Sequence, residues 1–206
     1  IFYEFMPLEA YGKANPETLQ LEDVQLGVNY AIVVSTNSGL WRYIVGDTIQ
    51  FVSTNPYRIK VTGRLKHFIN AFGEEVIVDN ADSALAEACK HTGAKVNDYT
   101  ASPVYFSEGS NGSHEWAIEF DVAPDDIQRF TEILDKSLQA VNSDYEAKRY
   151  KDMALRMPKM NVLPKGTFNE WLKRKGKLGG QHKVPRLSND RVLMDEILAF
   201  AHQTAE

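Results

Sequence analysis

The chain has 206 residues, 43% hydrophobic and 25% charged. That balance excludes a disordered tail, a collagen-like repeat and a disulfide scaffold. The net charge of −5 conceals an asymmetry: residues 148–186 hold twelve Lys and Arg against two acids, Asp152 and Glu170, which points to an anionic partner for one segment or to a solvated basic face.

The overall acidity argues against nucleic-acid binding by the whole chain. Apolar runs such as residues 30–35 fall far short of the roughly 20 residues that span a bilayer. No basic start leads into a long apolar stretch, so neither a signal peptide nor a membrane partner is expected. The single cysteine, Cys89, cannot close an internal disulfide, which suits a reducing compartment such as the cytoplasm. The first residue is Ile1 rather than Met, and it stands inside an apolar run. The chain is therefore expected to be a piece of a longer protein, cut within a domain.

In chain order, residues 1–6 read as an apolar, aromatic strand closed by Pro7. Residues 11–19, with Gly12, Asn15 and Pro16, read as a loop. Residues 29–35 are rich in Val and Ile and predict a second strand. Residues 40–45 and 48–52 flank Gly46 and Asp47, a pairing that predicts a hairpin turning at Gly46-Asp47. A short strand is expected over 59–62, before Gly63 and Arg64.

Beyond Gly63 helices alternate with strands. A helix is expected over 79–90, stopped by Gly93. Strands are expected over 98–107 and 114–121. A stronger helix is predicted over 124–141: Pro124 suits the first helical position, and Ile127, Phe130, Leu134, Leu138 and Val141 recur at helical spacing. A short helix over 143–152, a strand over 157–163 and helices over 168–175 and 191–202 complete the pattern. The predicted class is α+β, with a strand-rich first part and a small second module whose mixed or antiparallel sheet is flanked by helices.

Three strings carry possible chemistry. In Trp41-Arg42-Tyr43-Ile44-Val45-Gly46-Asp47 the glycine presents the Asp47 carboxylate at a strand end. There it serves as a plain turn residue or as an acceptor for a ribose diol. Arg64 and Lys66 stand where the strand character ends, at a plausible domain boundary. In Gly179-Gly180-Gln181-His182-Lys183-Val184-Pro185-Arg186 the glycines and Pro185 put Lys183 on a flexible, non-helical arm. It is either a phosphate-seeking cation or part of a mobile basic loop. Glu74 and Glu75 lack neighbours at metal-ligand spacing, and the five histidines form no H-x-x-x-H pattern, so no metal site is expected. Cys89 reads as a structural thiol on an apolar helix face.

These strings resemble those of the auxin-responsive Gretchen Hagen family of acyl-acid amido synthetases, in the adenylate-forming superfamily. Tyr3-Glu4-Phe5-Met6-Pro7 is similar to that family's Y/F-E-F-x-P strand. Residues 39–47 are similar to its G-L-Y-R-Y-x-x-G-D, and residues 181–186 to its Q-x-K-x-P-R. The resemblance covers essentially the whole chain and looks like a bacterial-type member. It implies that residues 1–63 are the last strands of a large adenylating domain and that residues 64–206 are a complete C-terminal cap.

By the same resemblance, Asp47 and Arg64 would bind the ribose of ATP, Lys66 would be the hinge of the cap, and Lys183 would be the catalytic cation for adenylation. The implied activity is an ATP- and Mg2+-dependent ligation of a small carboxylic acid to an amine or amino acid. The family's S-S-G-T-S/T-G phosphate loop and its Y-x-S/T-S-E segment are missing here. The isolated chain is therefore expected to be inactive and to need the rest of its own large domain. Two alternatives remain open at this point: an acyl-CoA ligase, and a non-catalytic α+β interaction module with a basic face.

Overall fold

A computed structural model describes residues 1–65, 67–106, 111–152, 154–177 and 183–204. The chain divides into two compact units, Ile1–Lys66 and His67–Glu206.

The first unit is a four-stranded antiparallel sheet in sequential order: β1 (Phe2–Pro7), β2 (Asn29–Ser35), β3 (Tyr43–Thr54) and β4 (Tyr57–Arg64). Alternation along the strands sends Phe5, Tyr30, Ile49 and Phe51 into one aromatic cluster. The Phe5 and Phe51 rings meet edge to face at 5.0 Å, a geometry the ring quadrupoles favour. The loop after β1 returns to that strand's outer edge, where Phe5 and Leu19 exchange backbone hydrogen bonds of 2.9 and 2.8 Å. An edge that would otherwise template aggregation is covered in this way.

One sequence expectation is corrected here. Gly46 and Asp47 do not form a hairpin turn; they lie inside the 12-residue strand β3, and the turn falls at Asn55-Pro56, where Thr54 faces Tyr57. The alternating apolar pattern around a Gly-Asp pair matches the hairpin code. What it cannot reveal is that β2 pairs with both halves: Ala31 faces Thr48 and Val33 faces Ile44. Three residues of β2, 31–33, therefore lie against five of β3, 44–48. The surplus bulges at Gly46, whose φ of 92° a residue with a side chain adopts only with strain.

The second unit has a three-stranded sheet with helices on both faces. It opens with a two-stranded ladder, β5 (Phe68–Ile69) and β6 (Val76–Ile77), leading into α1 (Val78–Thr92), β7 (Lys95–Tyr105) and β8 (Gly112–Val122). Then come α2 (Ile127–Val141), α3 (Ser143–Arg149), β9 (Lys159–Leu163), α4 (Thr167–Arg174) and α5 (Val192–Thr204). β8 is central, antiparallel to β7 and parallel to β9, so the expected mixed sheet flanked by helices is found. From β8, Trp116, Ile118 and Phe120 face α1 and α2, whereas Ala117 faces α4 and α5. A strand covered on both faces is buried along most of its length, as β8 is from Gly112 to Phe120.

Cap positions differ slightly from expectation. α2 starts at Ile127, not Pro124, because the Asp126 carboxylate accepts the Arg129 backbone N–H at 3.0 Å and closes the helix there. α1 ends as expected at Gly93, whose φ is 72°. Cys89 is half-buried on α1, and burial pushes its thiol above the ordinary range, which suits a packing role.

Candidate functional site

The β3–β4 register brings together two of the residues singled out from the sequence. Asp47 and Arg64 are direct partners, and Arg64 Nε lies 3.4 Å from Asp47 Oδ1. Their side chains are 45% and 69% exposed, so a ligand can reach both. Two features fix the pair. The Leu65 N–H donates to the Gly46 carbonyl at 2.9 Å, and just below it the buried Thr62 and Thr48 hydroxyls hydrogen bond at 3.1 Å. The bulge at Gly46 thus aims a carboxylate outward while the sheet beneath stays closed. An open carboxylate beside a guanidinium offers two acceptors for a diol and a cation for a phosphate or a ring oxygen.

The same unit unites two of the motif strings. Glu4 on β1 accepts from Arg42 Nε at 3.2 Å and from the Thr18 hydroxyl at 2.6 Å. Arg42 Nη2 also reaches Thr18 Oγ1 at 3.1 Å. Arg42 has a φ of 44°, an uncommon conformation for a non-glycine residue. These contacts hold it and anchor the segment that leads into β3.

Lys183 belongs to the second unit and is exposed in non-helical backbone. Its C-terminal side is not a free arm. Val184 is buried against α4 and α5, and Leu187 is fully buried against the α1–α2 side. Between them the chain pairs with β7: the Ala101 N–H donates to the Arg186 carbonyl at 2.8 Å, and the Ser188 N–H donates to the Ala101 carbonyl at 3.0 Å. Lys183 therefore stands at the root of a pinned segment. The expected hinge residue Lys66, and residues 179–182 of the third string, lie outside the described residues.

A buried polar network was not read from the sequence. Glu74, in the turn after β5, meets His114 of β8, Oε1 to Nε2 at 2.8 Å, with both side chains fully buried. Glu74 Oε2 also accepts the Phe72 N–H at 2.7 Å. Nearby, Asp135 of α2 receives Nε and Nη2 of Arg149, at 2.8 and 2.9 Å, and the Tyr145 hydroxyl at 2.7 Å. Burial and the Asp135 charge push the Tyr145 phenol well above its ordinary range, so it remains a donor. These partners lie many residues apart, and no local motif marks them.

Two family descriptions match the chain: the GH3 family central domain over residues 1–64 and the GH3 family C-terminal domain over residues 79–192. The chain is 25% identical over 212 residues to the indole-3-acetic acid-amido synthetase GH3.3 of Arabidopsis thaliana, covering 94% of this chain and 34% of that protein. It is 24% identical over 204 residues to the 4-substituted benzoates-glutamate ligase GH3.12 of the same plant, covering 90% and 35%. Among solved structures it resembles the GH3.15 acyl acid amido synthetase. The TM-score is 0.68 and the identity 23%, over 98% of this chain and 35% of that one. The chain thus spans about a third of the length of the relatives it matches, and the resemblance read from its motif strings is borne out.

Proposed function

The chain belongs to the GH3 family, and on that premise we propose that it carries part of an ATP-dependent ligase joining a small carboxylic acid to an amine through an acyl-adenylate. The names of its relatives support this reading, since one conjugates indole-3-acetic acid and another joins benzoates to glutamate. The observation that carries it is the Asp47–Arg64 pair, solvent-facing and aligned across β3 and β4.

Asp47 would accept the two hydroxyls of the ATP ribose, and Arg64 would hold the nucleotide against it. Mg2+ would arrive with the triphosphate as part of the substrate. A carboxylate is a poor electrophile, so the acid oxygen first attacks the α-phosphorus and pyrophosphate leaves. Lys183 would stabilise the negative charge gathering on the phosphoryl and carboxylate oxygens, an effect worth about 3–4 kcal/mol when one such donor is removed. In the second step the amine attacks the acyl carbonyl, the amide forms and AMP departs. Lys183 has no task in that step, and rotation of the second unit about Lys66 would withdraw it.

Acid-dependent ATP–pyrophosphate exchange in the full-length polypeptide tests the reading. Lys183→Ala is expected to lower exchange by about two orders of magnitude, while attack of the amine on a supplied acyl-adenylate persists. Asp47→Asn is expected to raise the KM for ATP. Unchanged exchange in Lys183→Ala would show that the lysine is not the adenylation cation. Acyl transfer to coenzyme A in place of an amino acid would identify a thioester-forming enzyme.

A further inference from the structure

The pinned segment after Lys183 contains one charged residue with a built environment, Arg186. Its Nη1 donates to Asp82 Oδ2 of α1, and its guanidinium lies over the Tyr99 ring at 5.4 Å. The Tyr99 hydroxyl donates to Asp82 Oδ1 at 2.7 Å. Asp82 is thus held through both oxygens, one by a cation from the Lys183 segment and one by a phenol from β7. Burial and the Asp82 charge push the Tyr99 phenol far above its ordinary value, so it donates at any working pH. Burial holds the Asp98 carboxyl, beside Tyr99 on β7, above the ordinary carboxylate range, against the opposing positive charges of Arg186 and Lys183. The Thr100 hydroxyl adds a 2.7 Å bond to the Pro185 carbonyl.

Apolar plugs alone do not define this segment. Val184 and Leu187 enter clusters on opposite sides of the sheet, so the chain crosses the sheet edge between them. Hydrophobic burial is non-directional and tolerates small slides and rotations. The backbone bonds to Ala101 set the register of the segment, and the Arg186 guanidinium, held by an ion pair and a ring face, ties the same segment to α1 and β7 as well. Arg186 is three residues from Lys183, at most roughly 10 Å of extended chain. Any play in that crossing is passed to the lysine's root.

We propose that Arg186 is a positioning residue for adenylation: its clamp on Asp82 and Tyr99 fixes the backbone from which Lys183 reaches the reacting phosphate. The assignment rests on the ligase reading above. It predicts a loss confined to the step that uses Lys183. A displacement of about 1 Å at a reacting group can cost a hundredfold, so a tenfold to hundredfold loss is expected.

The test uses the full-length polypeptide and measures the two half-reactions separately. Arg186→Met keeps the stem and removes the fork. It is expected to lower kcat for ATP–pyrophosphate exchange by about ten- to a hundredfold, with the KM for ATP and the attack on supplied acyl-adenylate within about twofold. Asp82→Asn should do the same, and the double variant should be no worse than either alone, as for residues acting through one contact. Arg186→Lys should recover only part of the rate. Tyr99→Phe keeps the ring and the fold, and should show a smaller loss with the same asymmetry should Arg186→Met fail to fold. Full-rate exchange in Arg186→Met, or equal losses in both half-reactions, would overturn the assignment. Lys183→Ala separates the two failures. If it abolishes exchange while Arg186→Met runs at full rate, only the clamp falls; if it leaves exchange intact, the ligase reading falls and takes the clamp with it.

Discussion

Glu74 carries its carboxyl into a fully buried place, where desolvation alone would raise its pKa. The observed balance goes the other way. The hydrogen bond and charge of His114 and the Phe72 N–H together hold the carboxyl below the ordinary glutamate range. A group whose folded pKa is depressed stabilises the fold above its unfolded pKa, and that contribution disappears as pH falls through the folded value. The stability of the second unit should therefore decline as acid is added from about pH 5 downward, past the unfolded glutamate value of about 4.3. Glu115 shares the direction, held down by Lys159, Asn161 and Arg191 against its own burial, so the parent loses stability through both carboxyls. Glu74→Gln should remove one share of the acid sensitivity. Urea midpoints measured between about pH 3 and about pH 7 compare the two proteins. A variant with the same pH slope as its parent would show that the Glu74 carboxyl has the same pKa in the folded and unfolded chain.

At the scale of elements, the glycine of the bulge tests what β3 does. Gly46 and Gly93 both have positive φ, 92° and 72°, and a Cβ at either would meet nothing within 4 Å. Alanine at each site should therefore cost a similar, purely conformational amount, roughly 1–2 kcal/mol. Their effects on function should part. Gly46→Ala reshapes the bulge that aims Asp47, and ATP–pyrophosphate exchange should fall about tenfold or more. Gly93→Ala loosens only the end of α1, and exchange should be unchanged. Equal activity in the two variants would mean that the bulge does not position the carboxylate.

The same element shows where the sequence stops being informative. The helices α1 and α2 are legible because each buries a face whose period shows in the apolar residues. The bulge is not, because Gly46-Asp47 satisfies the local rules for a turn and only pairing with both halves of β2 overrules them. β5 and β6 have two residues each, too short for any period. The Asp47–Arg64 pairing follows from a register that local patterns do not encode, although both residues were marked by the strings around them. Glu74 and His114 show no metal-ligand spacing in the sequence. Their bond joins positions 40 residues apart, and only the tertiary fold reveals it.

At the scale of the whole chain, the two units differ in how they satisfy their apolar surface. The second unit encloses its own core: among the described residues, its large clusters draw on residues from Ile69 to Ala201. Helices cover both faces of its sheet, and its buried carboxylates are paired within the unit. The first unit leaves Val52, Ile59 and Val61 about half exposed or more. It also opens a cavity of about 540 Å3 lined by Phe2, Phe5, Ile32, Phe51 and Ile59. An apolar surface of that kind binds apolar probes when nothing covers it. Residues 67–206 expressed alone should therefore fold, with a single cooperative urea transition and little binding of a dye such as anilinonaphthalene sulfonate. The 206-residue chain should bind the dye, and Ile59→Lys, which places a charge in the cavity wall, should reduce that fluorescence while leaving the transition of the second unit in place. A second unit that unfolds without cooperativity, or that takes up the dye as strongly as the whole chain, would locate the unsatisfied surface in residues 67–206 instead.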